Sequence, residues 1–297
     1  MVGVRTLALV LCLFLLAAAA CRSPSAAGSG AIHVVAGENF WGSLASQLGG
    51  SKVTVQSVVT DPNTDPHEYE SSTTDARAFA DADLVILNGA GYDDWGKKLL
   101  AANSSTHRQV LDVAGLLGRK VGDNPHFWYQ PDYVVRVADA ITARYKSINA
   151  ADSGYFDQRR ADFTAALKPY EDEIASIKKS FSHTPIGATE SIFVYMAGAL
   201  GLDLISPPEF MNAIAEGNDP PASSVAVFHD QIAANQIKVL VYNVQTSTAV
   251  TTNLRQLASS HHIASLGVSE TMPARSSFQD WQVAQLQGLE NALSSGS

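Results

Sequence analysis

Residues 153–181 read SGYFDQRRADFTAALKPYEDEIASIKKSF and divide the chain into two halves. The large apolar residues of this stretch recur at spacings of 7, 4, 3, 4, 3 and 4, which keep them on one face of an α-helix: Phe156, Phe163, Leu167, Tyr170, Ile174, Ile177 and Phe181. Such a helix would be about 40 Å long, with a bend expected at Pro169. It is either a surface helix of a single domain or a strut that joins two similar lobes.

Strand and helix patterns alternate on both sides of this helix. Strands are predicted at 31–36, 52–59, 83–89 and 109–112 before it and at 186–190, 203–206, 237–243 and 263–268 after it. The proline-rich segment 207–221 is predicted to be an irregular loop. Alternation of this kind indicates an α/β fold with a parallel sheet in each half. Ligands of such sheets bind beyond the carboxyl ends of the strands.

The N-terminus has the pattern of an export signal. An apolar run over residues 7–20 follows Arg5 and ends at Cys21, and a Ser-, Ala- and Gly-rich segment follows. We therefore predict a signal peptide at 1–20 and a tether at 21–30 that is lipid-anchored through Cys21. Ala18 departs from the usual lipoprotein pattern, so a plain secretory signal is the alternative. The processed chain would then hold no disulfide and no cysteine ligand.

The charge of the chain bears on its partners. The formal net charge is −9, and the first 20 residues carry one Arg and no acid, so the processed chain is near −10. This argues against nucleic acid as a partner and mildly favours a cationic ligand.

Four side chains stand at or near the predicted ends of strands. His67 and His126 each follow a proline in a stiff loop, 60–70 and 122–131. Glu190 and Glu270 each come directly after a strand. Taken singly, a loop histidine is usually only exposed, and Glu190 could simply be a carboxylate favoured at a helix start. Trp128 and Tyr129 could exclude water from a site or belong to the core.

The motifs DPHEYE (65–70), NPHFW (124–128), ATE (188–190), VYNVQT (241–246) and VSETMP (268–273) resemble the metal-binding solute-binding lipoproteins of bacterial ABC importers for zinc and manganese. The resemblance implies an N-terminal lobe at 31–152, a rigid connecting helix at 153–181 and a C-terminal lobe at 182–297, with a metal ion in the cleft. It places the four metal ligands at His67, His126, Glu190 and Glu270, although the family's fourth ligand is commonly aspartate. The long His-rich loop of some zinc-specific members is absent.

Two imidazoles and two carboxylates suit a divalent first-row ion, Mn²⁺ or Zn²⁺, and two anionic ligands neutralise its charge. The expected protein is an exported monomer, lipid-anchored on the outer face of the cytoplasmic membrane, that delivers its ion to an ABC permease. Asn63, Asn243 and Gln245 are candidate outer contacts of the ligands. Two ligands from each lobe predict a small closing tilt, and affinity should fall below about pH 6 as the histidines protonate.

Two other functions fit parts of the sequence. A secreted metallohydrolase would need an open coordination position and a general base, for which Glu68 is a candidate. A surface adhesion protein could use the same fold without a metal ion.

Overall fold

The computed structural model describes residues 30–62, 66 and 69–295, and within them two parallel four-stranded sheets form the framework of the protein. The first contains β1 (Ile32–Glu38), β2 (Val53–Val59), β3 (Leu84–Leu87) and β4 (Gln109–Asp112), in the order β2-β1-β3-β4. The second contains β5 (Pro185–Ala188), β6 (Asp203–Leu204), β7 (Val239–Asn243) and β8 (Ala264–Val268), in the order β6-β5-β7-β8. The strand order is the same in both halves, which confirms the prediction of two similar lobes. We call them the N-lobe and the C-lobe.

Helices cover the sheets because parallel strands need crossover connections. They are α1 (Asn39–Gly49), α2 (Thr73–Asp81), α3 (Asp94–Ala102), α4 (Val113–Leu117), α5 (Pro131–Ile148), α6 (Ser153–Ala166), α7 (Lys168–Phe181), α8 (Val194–Leu200), α9 (Pro208–Ala215), α10 (Ala222–Ala233), α11 (Ala249–Ser260) and α12 (Phe278–Ser294). All four residues of β3 are buried, as expected for a central strand covered on both faces. None of the helices in the described part of the chain is long and apolar enough to cross a membrane.

The connecting element between the lobes is a bent pair of helices rather than one continuous rod. Helix α6 ends before Leu167, and α7 begins at Lys168 with Pro169 in its first turn. Proline has no N–H to donate to the preceding turn, but it is well tolerated where a helix begins. The predicted bend is therefore present, and it takes the form of a new helix start.

The prediction of an irregular loop over 207–221 is wrong for its first half, where α9 runs from Pro208 to Ala215. Pro207 caps this helix and Pro208 occupies its first turn, the place where proline favours a helix. Phe210, Met211 and Ile214 point into the core and hold α9 in place. The two prolines thus start a helix here instead of preventing one.

Buried aromatic rings join the two lobes. Phe40 of α1 stacks on Trp128 with a centroid distance of 4.0 Å, and its ring lies 6.5 Å from Trp281 of α12. Tyr129 of the N-lobe meets Phe193 of the C-lobe at 6.1 Å. These rings belong to one continuous cluster of buried residues that spans both sheets. We call this contact the aromatic seam, and it leaves little freedom for a wide hinge motion.

Candidate metal centre

Three of the four predicted ligands converge in the cleft. One ligand atom each of His126, Glu190 and Glu270 lies within 4.8 Å of the other two. All three side chains are buried, with 0%, 1% and 0% of their surfaces exposed. His126 comes from the N-lobe and both glutamates from the C-lobe, so the cluster lies where the lobes meet. Burying two carboxylates together is costly unless a cation or protons neutralise them.

His126 is held by the loop that precedes it and by the end of β3. The Asn88 side chain donates to the Pro125 carbonyl at 2.9 Å and accepts from the Trp41 indole at 3.1 Å. Asn124 Oδ1 accepts the backbone N–H of His126 at 3.1 Å and lies 2.7 Å from its Nδ1. These contacts place the imidazole Nε2 3.9 Å from Glu270 Oε2.

Glu190 follows β5 and precedes a 3-10 turn, Ser191–Phe193, that leads into α8. One of its carboxylate oxygens accepts the backbone N–H of Ile192 at 3.2 Å. It is therefore the helix-start carboxylate considered from the sequence, and it also faces the cleft with the other two side chains. The hydrogen bond fixes the direction in which the carboxylate points.

Glu270 follows β8 and is the most extensively held of the three. Tyr92 donates to Oε2 and Asn243 donates to Oε1, both at 2.7 Å, and the backbone N–H of Glu270 donates to Gln245 Oε1 at 2.6 Å. The structure thus brings the predicted outer residues Asn243 and Gln245 into contact with Glu270. Tyr92 was not predicted, because nothing in the local sequence relates it to a residue 178 positions away.

A tight turn after β3 positions Tyr92 in the cleft. Gly89, Ala90 and Gly91 all have positive φ, at 77°, 56° and 92°. A β-carbon at Gly89 would lie only 2.3 Å from Asp112 Oδ1, so glycine is required there.

A buried pair of acids lies behind the cluster and was also missed from the sequence. Glu38 ends β1 and is 1% exposed, and Asp93 is fully buried. Asp93 accepts the backbone N–H groups of Asn88 at 2.6 Å and Gly89 at 2.8 Å. Burial raises the pKa of Glu38 well above its usual value, and the nearby carboxylate of Asp93 raises it further. Burial likewise raises the pKa of Asp93. The sequence feature that could have pointed to Glu38 is its position at the end of a strand.

Aromatic residues close the inner side of the cleft. Trp128 and Tyr129 are both fully buried, and the Trp128 ring lies 5.3 Å from that of His126. The Tyr129 hydroxyl lies 2.8 Å from the Ser269 carbonyl and 2.9 Å from Gln285 Oε1. Burial raises the pKa of Tyr129 well above its usual value, so its hydroxyl stays neutral. Both residues therefore belong to the core and also form the wall behind His126.

Two predicted site residues, His67 and Asn63, lie outside the described residues, as do Glu68 and the N-terminal segment with Cys21. Next to His67, Pro66 is buried, and the Tyr69 hydroxyl donates to Asp75 at 2.9 Å.

The three converging atoms are close to the spacing that a bound ion requires. Ligand atoms that bind Zn²⁺ tetrahedrally at about 2.0–2.2 Å lie about 3.3–3.6 Å apart. The separation of 3.9 Å between His126 Nε2 and Glu270 Oε2 is near that range, and the largest in the cluster reaches at most 4.8 Å. Side-chain movements on the order of 1 Å would complete the geometry.

A family model, sequence relatives and a solved structure similar to this chain all come from metal-uptake or metal-binding proteins. The family described as "ZnuA: Zinc-uptake complex component A periplasmic" matches residues 34–292. The metal ABC transporter substrate-binding lipoprotein ScbA of Streptococcus cristatus is 26% identical over 215 residues, covering 66% of this chain and 68% of its own. The manganese-binding lipoprotein MntA of Halalkalibacterium halodurans is 23% identical over 203 residues, 65% of this chain and 66% of its own. The Mn-bound periplasmic metal-binding protein of candidatus Liberibacter asiaticus has a similar fold, with a TM-score of 0.73 at 16% identity over 88% of this chain and 98% of its own.

Proposed function

The chain belongs to the family of periplasmic zinc-uptake component A proteins, and from this premise we propose that it binds a divalent transition metal ion outside the cytoplasm and delivers it to the permease of an ABC importer. The proposal rests above all on the convergence of His126, Glu190 and Glu270 in a buried cleft between two lobes. We assign these three side chains and His67 as the metal ligands.

The chemistry of these ligands favours a first-row divalent ion. Imidazole nitrogen and carboxylate oxygen suit Zn²⁺ and Mn²⁺, whereas the residues that the structure describes include no cysteine. Two glutamates balance the charge of the ion, so the buried site becomes neutral when it is filled. Oxygen-rich, higher coordination would suit Mn²⁺, and four ligands would suit Zn²⁺. We favour Mn²⁺ because no His-rich loop follows His67.

The support for a carrier instead of a catalyst comes from how the ligands are held. Both carboxylate oxygens of Glu270 accept hydrogen bonds, His126 Nδ1 is hydrogen-bonded to Asn124 Oδ1, and Glu190 accepts the backbone N–H of Ile192. Four protein ligands would leave no coordination position for an activated water. Steady hydrolysis of ester or phosphoester substrates by the Zn- or Mn-loaded protein would favour the metallohydrolase instead. A protein that binds neither metal would favour the adhesion function.

Metal content and affinity test the proposal. Elemental analysis of protein from its native host identifies the ion, and competition titrations compare Mn²⁺ with Zn²⁺. His126→Ala, Glu190→Gln and Glu270→Gln should each lower the affinity at least tenfold, because the first removes a ligand atom and the other two each remove a negative charge that balances the ion. His107→Ala and Glu171→Gln, two exposed positions, are the matched controls and should bind like the wild type. Unchanged binding by all three ligand variants would contradict the assignment.

Delivery and anchoring need tests in cells. A strain that lacks this protein should grow poorly in metal-chelated medium and recover with the wild-type gene but not with the His126→Ala gene. Cys21→Ser should lose incorporation of labelled palmitate and move from the membrane to the soluble fraction. We further propose that the protein acts as a monomer, which light scattering of the detergent-solubilised protein can check.

A further inference from the structure

Asn124, in the loop that carries His126, contacts both the imidazole and the opposite lobe. Its Nδ2 donates to the Ser191 carbonyl of the C-lobe at 2.7 Å, a long-range contact beside Glu190. Its Oδ1 accepts the backbone N–H of His126 and lies 2.7 Å from His126 Nδ1. Its own carbonyl accepts the Tyr195 hydroxyl, again from the C-lobe, at 2.8 Å.

The orientation of the Asn124 amide follows from these partners. A carbonyl oxygen can only accept, so the atom of Asn124 that faces the Ser191 carbonyl must be the NH₂ group. The oxygen is then left facing His126. This oxygen can also only accept, so the proton of the neutral imidazole must be on Nδ1. Nε2 is left with its lone pair directed into the cleft, toward Glu270.

We propose that Asn124 is a positioning residue that sets the tautomer of His126 through a contact with the other lobe. The Ser191 carbonyl orients the amide, the amide holds the proton on Nδ1, and Nε2 is thereby ready for the metal ion before the ion arrives. This inference rests on the proposed function only in taking His126 as a ligand. The tautomer itself is a property of the metal-free protein.

The arrangement links the two lobes at the level of the ligands. Asn124 is two residues from His126, and Ser191 directly follows Glu190. The hydrogen bond between them therefore ties a ligand of the N-lobe to a ligand of the C-lobe through a short and partly buried path. Without it, the imidazole could place its proton on Nε2, where the proton would point at the position of the ion.

A purely structural role for Asn124, as a turn former, makes a different prediction from a role in positioning. Asn124→Ala removes both the acceptor for Nδ1–H and the donor to Ser191. Asn124→Asp keeps the acceptor for Nδ1–H but cannot donate to Ser191. Tyr195→Phe removes only the other bond between residue 124 and the C-lobe and leaves His126 untouched. If the proposal is correct, the alanine variant loses the tautomer and the other two keep it.

Nitrogen-15 NMR on the full-length, histidine-labelled protein tests this directly. Long-range correlations at pH 8 report the tautomer, and the His126→Gln spectrum identifies the His126 signals. We expect Nδ1–H in the metal-free wild type, and nuclear Overhauser contacts from the Asn124 amide hydrogens to the Ser191 Hα. Zinc affinity should fall 10- to 100-fold in Asn124→Ala, the usual effect of losing an outer partner of a ligand, and should be higher in Asn124→Asp than in Asn124→Ala.

Several results would overturn the proposal. These are an Nε2–H tautomer in the wild type, Overhauser contacts from the Asn124 amide hydrogens to the His126 ring instead of Ser191, or an alanine variant with the wild-type tautomer and affinity. If the wild type binds neither Zn²⁺ nor Mn²⁺, the proposed function fails, while the tautomer of the metal-free protein still decides the role of Asn124.

Discussion

The hydroxyl of Tyr92 donates to Oε2 of Glu270 over 2.7 Å, and this hydrogen bond joins a turn of the N-lobe to the strand end that carries Glu270 in the C-lobe. Both residues are buried, so water does not compete for the bond. The same oxygen of Glu270 is the one nearest to His126. Tyr92 on this oxygen and Asn243 on the other together set the direction of the Glu270 carboxylate.

Tyr92→Phe should lower the affinity for Zn²⁺ and Mn²⁺ by about tenfold, because the carboxylate loses the donor that orients it. Competition calorimetry measures the change. Tyr145→Phe is the matched control: its hydroxyl is also buried but donates to the Ala45 carbonyl. That variant should lose stability and keep the wild-type affinity, and equal affinity losses in both variants would contradict the role of Tyr92.

Glu38→Gln should change how stability depends on pH. The pKa of Glu38 is raised in the folded protein, so the folded state keeps this proton to a higher pH than the unfolded chain, which loses it near 4.5. Above pH 4.5 this group therefore lowers the stability as the pH rises. Glutamine has nearly the same size and shape as glutamic acid but cannot titrate.

The free energy of unfolding of metal-free Glu38→Gln, measured in urea, should exceed that of the wild type by a margin that grows between pH 5 and pH 8. Glu171→Gln, at an exposed position, should show no such trend. A margin that is the same at both pH values would show that Glu38 ionises alike in the folded and unfolded chains.

Asn39→Ala should destabilise the contact between the lobes. The Asn39 side chain donates to the Met272 carbonyl at 2.7 Å and accepts the Met272 N–H at 3.0 Å. Its loss leaves two buried backbone groups unsatisfied, which costs about 2 kcal/mol or more in the free energy of unfolding. Denaturant titration checks this. Gln279→Ala, which breaks the half-buried contact with Gln47, should cost less than about 1 kcal/mol.

The distance between the lobes should change little when the metal ion binds. Spin labels on cysteines introduced at Val121 and Glu216, on opposite sides of the cleft mouth, can measure it after the native Cys12 and Cys21 are replaced by serine. Because the aromatic seam packs both lobes into one core, we expect the distance to shift by no more than about 2 Å. A shift of 10 Å would indicate a hinge that the seam does not allow.

The strands and most of the helices can be predicted from the sequence because they depend on local patterns of residues. All eight strands were predicted, since runs such as 237–243 are rich in β-branched and aliphatic residues. The prediction of a loop over 207–221 is wrong for residues 208–215, because proline breaks a helix in its interior but favours one in its first turn. The neighbouring positions Asn243 and Gln245 could be related to Glu270 through motifs that lie on adjacent parallel strands.

The remaining contacts of the cleft could not be predicted because they join residues that are far apart in sequence. Tyr92 reaches Glu270 across 178 positions, and Asn124 reaches Ser191 across 67. No local periodicity encodes such a pair, because only the packing of one lobe against the other brings the two residues together. In the sequence, Glu38 is an ordinary residue at the end of a strand, and only the structure shows that it is buried beside Asp93.

The stacking of Phe40 near Trp281 brings together the first helix and the last helix of the described chain. A polypeptide that emerges from its N-terminus has made β1 through β4 long before it makes α12. Until that last segment is made, the side of Phe40 that faces Trp281 stays uncovered, although its other side can already stack on Trp128. Completion of the aromatic seam must therefore wait for the C-terminal end of the chain.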